Sequence, residues 1–268
     1  MTVGVLGLGQ IGRSLVASLN SGQDSGLRVT AAFSRSALVE PEPEPAPLSW
    51  RLCASLSEFL QHPYAVLVEC ASHDAVRTII PDALTLGHDV VISSSGALAD
   101  DALRMRVLTL AQRHDRRVYL PAGALGSLEI LAVLREEGIH SVQLTSRKPP
   151  ASIPGYEHLR EPAVVFSGTA REASAAFPRH LNIAATLGLL GIGLDQTRVT
   201  LRVEPGLAQT CHAIEVHAAR GRYRVSFEVE PAADNPQKTA VTADSILTLL
   251  RSIQGGRSSR LAEVVRPS

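Results

Sequence analysis

Between residues 3 and 120, unbroken apolar runs alternate with stretches whose apolar positions recur every three or four residues. Val3–Leu8 is an apolar run closing on glycines, and Ile11, Leu15, Val16 and Leu19 then mark one face of a helix. Further strand-like runs lie at Leu27–Phe33, Ala65–Glu69, Asp89–Ser93 and Arg117–Leu120. Helical spacing fills Ser55–Leu60, Asp74–Leu86 and Asp100–His114. Strands that are apolar throughout are buried on both faces. Alternating with helices, they predict an α/β domain with a doubly wound parallel sheet and right-handed crossovers. Pro41–Pro47 carries proline at every second position, which neither a helix nor a central strand tolerates, and reads as an exposed extended loop.

The pattern changes after residue 121. Gly123–Gly126 leads into a helix ending near Glu137, and shorter strand-like stretches then dominate: Ser141–Ser146, Ala163–Gly168, Val199–Val203, His212–Ala218 and Tyr223–Glu230. A helix over Asn182–Leu190 interrupts them, and a last one spans Ala240–Ile253. This predicts a smaller α+β domain with an antiparallel or mixed sheet. The final helix, apolar at Val241, Ile246, Leu249, Leu250 and Ile253, is expected to return to the first domain. The expected division is 1–121 plus 240–268 for a dinucleotide-binding domain and 122–239 for a substrate domain, with a cleft between them.

Composition narrows the partners. The 26 Lys+Arg balance 26 Asp+Glu, without a basic stripe, which disfavours nucleic acid. No run of about 18 apolar residues is present to cross a membrane, and the chain opens on an apolar strand rather than a signal peptide. Cys53, Cys70 and Cys211 are scattered, which fits a reducing cytoplasm and argues against a zinc site or disulfides.

Gly7-Leu8-Gly9-Gln10-Ile11-Gly12 is GxGxxG placed after a strand and opening a helix, the context of a Rossmann dinucleotide site. The first glycine permits the turn, the second admits the pyrophosphate, and the third lets helix and strand pack closely. The helix N-terminus offers N–H groups to the anion. Where an NAD site usually closes its second strand with Asp or Glu, this chain has Ser34-Arg35-Ser36. An arginine there suits the 2′-phosphate of NADP. Glycine turn and polar loop alike have a bland alternative, a turn with no ligand.

Five later segments occur in an order that resembles the L-aspartate dehydrogenase family. They are Pro121-Ala122-Gly123-Ala124-Leu125-Gly126, Thr145-Ser146-Arg147-Lys148-Pro149-Pro150, Phe177 through Thr186, Thr210-Cys211-His212-Ala213-Ile214-Glu215, and Asn235-Pro236-Gln237-Lys238-Thr239. The resemblance runs from about residue 3 to residue 253. It implies NAD(P)-dependent oxidative deamination of L-aspartate through iminoaspartate to oxaloacetate and ammonia, and the reverse amination, with a possible link to NAD synthesis. It also implies that His212 is the catalytic histidine and that Ala124 and Asn182 contact the cofactor. The expected cofactor set is Gly7, Gly9, Gln10, Ile11, Gly12, Ser34, Arg35, Ala71, Ala124 and Asn182, for NAD or NADP, with NADP well tolerated or preferred. A homodimer is expected, and no metal.

Chemistry points to the same residues. Proton exchange near neutral pH suits an unperturbed histidine, and His212 begins a strand while His217, by alternation, faces the other way. A dicarboxylate needs cations, and Arg147, Lys148 and Lys238 lie beside prolines, which suggests fixed loops. Asn182 has a competing reading as a helix N-cap. Two alternatives stay open: a reductase of homoserine or dihydrodipicolinate type, and a non-catalytic dinucleotide sensor.

Overall fold

The computed structural model describes residues 1–21, 26–35, 49–123, 125, 128–229, 231–232, 235–239 and 241–256. Pro41–Pro47, Ser36 and Ala124 lie outside the described residues. The chain divides into two compact units, 1–121 with 243–268, and 122–242.

The first unit is built on β1 (Thr2–Leu6), β2 (Arg28–Phe33), β3 (Arg51–Leu52), β4 (Val66–Glu69), β5 (Asp89–Ile92) and β6 (Val118–Tyr119). They form one sheet in the order β3-β2-β1-β4-β5-β6, every pair parallel. Chain order runs outward on one side from β1 and on the other from β4. The switch point between these two strands is where open α/β sheets take ligands, outside the strands' carboxyl ends. The helices are α1 (Gln10–Asn20), α2 (Leu56–Gln61), α3 (His73–Thr85) and α4 (Asp101–Arg113). Three begin at side chains that accept a backbone N–H: Ser55 from Glu58, Ser72 from Ala75 and Asp100 from Leu103. Each cap satisfies one of the amides a helix start leaves unpaired.

The second unit carries α5 (Leu128–Glu137), β7 (Ile139–Lys148), β8 (Ala163–Thr169), α6 (Ala170–Ala176), α7 (Asn182–Leu190), β9 (Thr197–Val203), β10 (Thr210–Ala218) and β11 (Gly221–Val229). Its sheet runs β11-β10-β7-β9-β8 and is mixed: β7 and β9 are parallel, and the other neighbours antiparallel. A hairpin of β12 (Pro231–Ala232) and β13 (Asn235–Thr239) is separate. One face of the large sheet is apolar, with Val142 and Leu144 of β7 beside Val199 and Leu201 of β9 and Ile214 and Val216 of β10. Helices α6 and α7 pack along β9. The last helix, α8 (Val241–Gln254), sends Ile246, Leu247, Leu249 and Leu250 into the core formed by Val3, Leu15, Leu19 and Val29 of the first unit.

Two details differ from the sequence-based expectations. Arg147 and Lys148 are not in a loop but end β7, which is paired on both sides; Pro149 only stops the strand. Lys238 likewise sits in the strand β13. The short elements β3, α6 and β12 were not expected.

Candidate active site

The glycine turn follows β1 at the switch point. Gly7 has φ +97°, a left-handed conformation that favours glycine, and its N–H donates to Phe33 O at 2.8 Å. A Cβ on Gly12 would fall 1.9 Å from Gly7 O, so helix α1 can meet the turn only through a glycine there. A Cβ on Gly9 would meet nothing within 4 Å. The three glycines thus divide into one that turns, one that packs and one that leaves open space beside the start of α1. Gln10 and Ile11 form the first turn of that helix, whose positive end suits a phosphate anion. This cradle fits a dinucleotide. At the end of β2, Ser34 is buried and Arg35 is exposed. Ala71, after β4, is exposed and lies against the glycine turn, since a Cβ on Gly7 would come 2.9 Å from its Cα.

Glu69, the last residue of β4, was not among the expected site residues. It is fully buried, and among the described residues every hydrogen bond to its carboxylate is donated to it. Oε1 accepts from Ala71 N–H (2.7 Å), Ser72 N–H (2.8 Å) and Ser94 Oγ–H (2.9 Å), and Oε2 accepts from Ser94 N–H (2.9 Å). Burial pushes its carboxyl pKa up, and the four donors oppose that. The signal was present in the sequence, as an apolar parallel strand closing on a carboxylate.

In the second unit, Val142 and Leu144 of β7 are followed on the same face by Ser146 and Lys148, both buried. Polar side chains continuing an apolar row mark the end of the sheet given to something other than packing. Ser146 is in register with His212 on β10, and Ser146 Oγ lies 3.0 Å from His212 Nδ1. His212 is only 5% exposed. Burial, and then the charge of Lys148, push its pKa down to about 3. That corrects the expectation of a histidine titrating near neutrality, because the ring is held unprotonated at pH 7. Lys148 is in register with Val203 on β9, and burial alone pulls its pKa down to about 8. Among the described residues no carboxylate forms a salt bridge with it.

The structure does not bring Arg147 to this cluster. Alternation puts it on the opposite, exposed face, where it pairs with Glu204 at 2.7 Å. His217 also lies on the outer face of β10. Asn182 is the first residue of α7 rather than its cap, and the capping position, Leu181, makes no side-chain cap bond. No helix of the described residues is long and apolar enough to cross a membrane.

Comparison with known proteins agrees with both halves. The family described as "Aspartate dehydrogenase, C-terminal" matches residues 129–253, and "Homoserine dehydrogenase, NAD binding domain" matches residues 7–121. The L-aspartate dehydrogenase of Methanosarcina acetivorans is 34% identical, with 94% of this chain and 97% of that protein covered. That of Pseudomonas aeruginosa is 36% identical over 69% of this chain and 72% of its own. The crystal structure of aspartate dehydrogenase from Thermotoga maritima superposes with a TM-score of 0.74 at 28% identity, covering 95% of this chain and 97% of that one. With its glycine cradle for a nicotinamide dinucleotide, its mixed-sheet second unit and these relatives, the chain belongs to the L-aspartate dehydrogenase family of oxidoreductases.

Proposed function

We propose that the protein catalyses NAD(P)-dependent oxidative deamination of L-aspartate, and the reverse amination of oxaloacetate. The observation that carries this reading is the buried row of Ser146, His212 and Lys148: an oriented base and a cation on one face of one sheet. The glycine cradle, Gly7–Gly12, would hold the pyrophosphate of the dinucleotide, whose nicotinamide would supply the acceptor for the hydride that leaves Cα of aspartate. The Cα–N bond thereby becomes the C=N of iminoaspartate. Water then adds to the imine carbon, and the C–N bond breaks to release ammonia and oxaloacetate.

Lys148 binds a substrate carboxylate, since an ammonium in apolar surroundings gains most from an anion that replaces its lost hydration. His212 accepts a proton through Nε2 from the substrate ammonium and releases it to solvent, then takes a proton from the attacking water and passes it to the leaving amine, while Nδ1 is held by Ser146. The ring is unprotonated in the free protein, as a base must be. A carboxylate placed on Lys148 offsets the charge that disfavours imidazolium, so substrate binding itself strengthens this base. Lys238 is a second candidate for the other carboxylate. Ser34 and Arg35, with no acidic residue closing β2, favour a site that accepts NADP(H) at least as well as NAD(H).

The test is spectrophotometric: oxidation of NADH or NADPH with oxaloacetate plus ammonia, with aspartate semialdehyde, and with no substrate. Turnover on oxaloacetate only in the presence of ammonia supports the reading. Turnover on the semialdehyde alone points to the homoserine-type reaction, and cofactor binding without turnover points to a sensor.

A further inference from the structure

Glu69 stands apart from the proposed chemistry, yet it is a fully buried carboxylate at the carboxyl edge of the parallel sheet. Among the described residues, four hydrogen bonds tie its carboxylate to two different connections. Ala71 and Ser72 belong to the turn between β4 and α3, and Ser94 to the turn after β5. The first of these turns abuts the glycine turn after β1: a Cβ on Gly7 would come 2.9 Å from Ala71 Cα and 2.9 Å from the Cys70 carbonyl carbon. Three turns on three adjacent strands are thereby in one mechanical series, Ser94 to Glu69 to Ala71 to Gly7. All three project from the strand ends where an open α/β sheet receives its ligand. Among the described residues, no cation is needed to hold the carboxylate, because every partner is an N–H or O–H donor aimed at it.

We propose that Glu69 is a positioning residue of the cofactor site, tying the turns after β4 and β5 into the rigid frame against which the glycine turn binds the dinucleotide. The proposal rests on the reading of Gly7–Gly12 as the cofactor cradle. Only an acceptor on both oxygens satisfies this arrangement. Glutamine has the same shape, but its amide NH₂ must point either at Ser94 N–H or at the three donors on Oε1, leaving donors opposed. The frame serves the part of the cofactor that NAD and NADP share, so both should weaken together. That separates Glu69 from Arg35, whose effect depends on the 2′-phosphate.

The experiment measures dissociation constants of NADH and NADPH by nicotinamide fluorescence on the full chain, for wild type, Glu69→Gln, Ser94→Ala and a core control, Ile80→Val in α3. Circular dichroism confirms that each is folded at the assay temperature. Glu69→Gln should weaken both cofactors by about tenfold or more, and Ser94→Ala by a smaller factor of about two to five. Ile80→Val should bind like wild type. Unchanged affinities in Glu69→Gln would overturn the proposal, and so would an equal loss in Ile80→Val. Should Glu69→Gln fail to fold, unchanged affinity in Ser94→Ala overturns it instead. A wild type that binds neither cofactor would refute the cradle reading itself.

Discussion

Ser146 Oγ and His212 Nδ1 face each other at 3.0 Å across adjacent antiparallel strands, both side chains buried. A neutral imidazole carries one proton. For Nε2 to be the base, that proton must sit on Nδ1 and be donated to Ser146 Oγ. Ser146→Ala removes this selection without leaving a large void. We expect kcat to fall by about fivefold to 150-fold, the equivalent of losing one buried hydrogen bond, with unchanged cofactor affinity. Ser146→Thr, which keeps the hydroxyl, should recover part of the loss. Wild-type kcat in Ser146→Ala would show that the serine only fills space.

His212 itself is a stronger test. His212→Ala should lower turnover by about two to four orders of magnitude while NADH still binds, as expected when a general base is removed. His217→Ala is the matched control, five residues along the same strand but on its outer face. Equal turnover in wild type and His212→Ala across several pH values would take His212 out of the mechanism.

Lys148 links the site to pH. Burial lowers its pKa to about 8, so the free protein carries the ammonium below that value and loses it as the pH rises through it. The charged form is the one that binds a carboxylate. Therefore kcat/KM for oxaloacetate should decline above about pH 8, whereas kcat should hold to higher pH because a bound carboxylate restores the charge. Lys148→Met should abolish that decline and raise KM most clearly below pH 8, where the wild type carries the ammonium. A profile of kcat/KM in Lys148→Met that breaks at the same pH as wild type would assign the titration to another group.

The parallel sheet was legible because its strands are buried on both faces, which leaves continuous apolar runs such as Val66–Val68 and Val90–Ile92. The two residues of β3 are too few to show any period, and it is seen only through its pairing with β2. Helix α6 had a readable start, the reciprocal capping box of Thr169 and Glu172, but its small residues make no apolar stripe. Arg147 and Lys148 were drawn toward a loop by Pro149 and Pro150, although the alternation Val142, Leu144, Ser146, Lys148 already places one lysine inward and one arginine outward. His212 could be named from its motif. Its low pKa could not, since that comes from burial and from Lys148, a residue distant in sequence. The carboxylate closing the apolar run at Glu69 was visible, but its role was not, because its donors Ser72 and Ser94 look like ordinary turn residues until the fold aims them at it.

The choice of cofactor turns on the end of β2. Ser34 is buried there, Arg35 is exposed, and neither carries the negative charge that would bind a ribose diol and repel a 2′-phosphate. An arginine removes the repulsion and can give the phosphate a charge-assisted hydrogen bond. Because Arg35 is open to water, screening limits the gain to about 1–3 kcal/mol, a factor of roughly five to 150 in affinity. The wild type should therefore use NADP(H) at least as efficiently as NAD(H), and Arg35→Ala should lower kcat/KM for NADP(H) within that factor while sparing NAD(H). Raising the ionic strength should narrow the same preference, since the interaction lies at the surface. Measuring kcat/KM for both cofactors at low and high salt, in wild type and Arg35→Ala, decides the matter. A wild type strongly preferring NAD(H), with an unchanged ratio in the variant, would mean that Arg35 makes no contact with the cofactor.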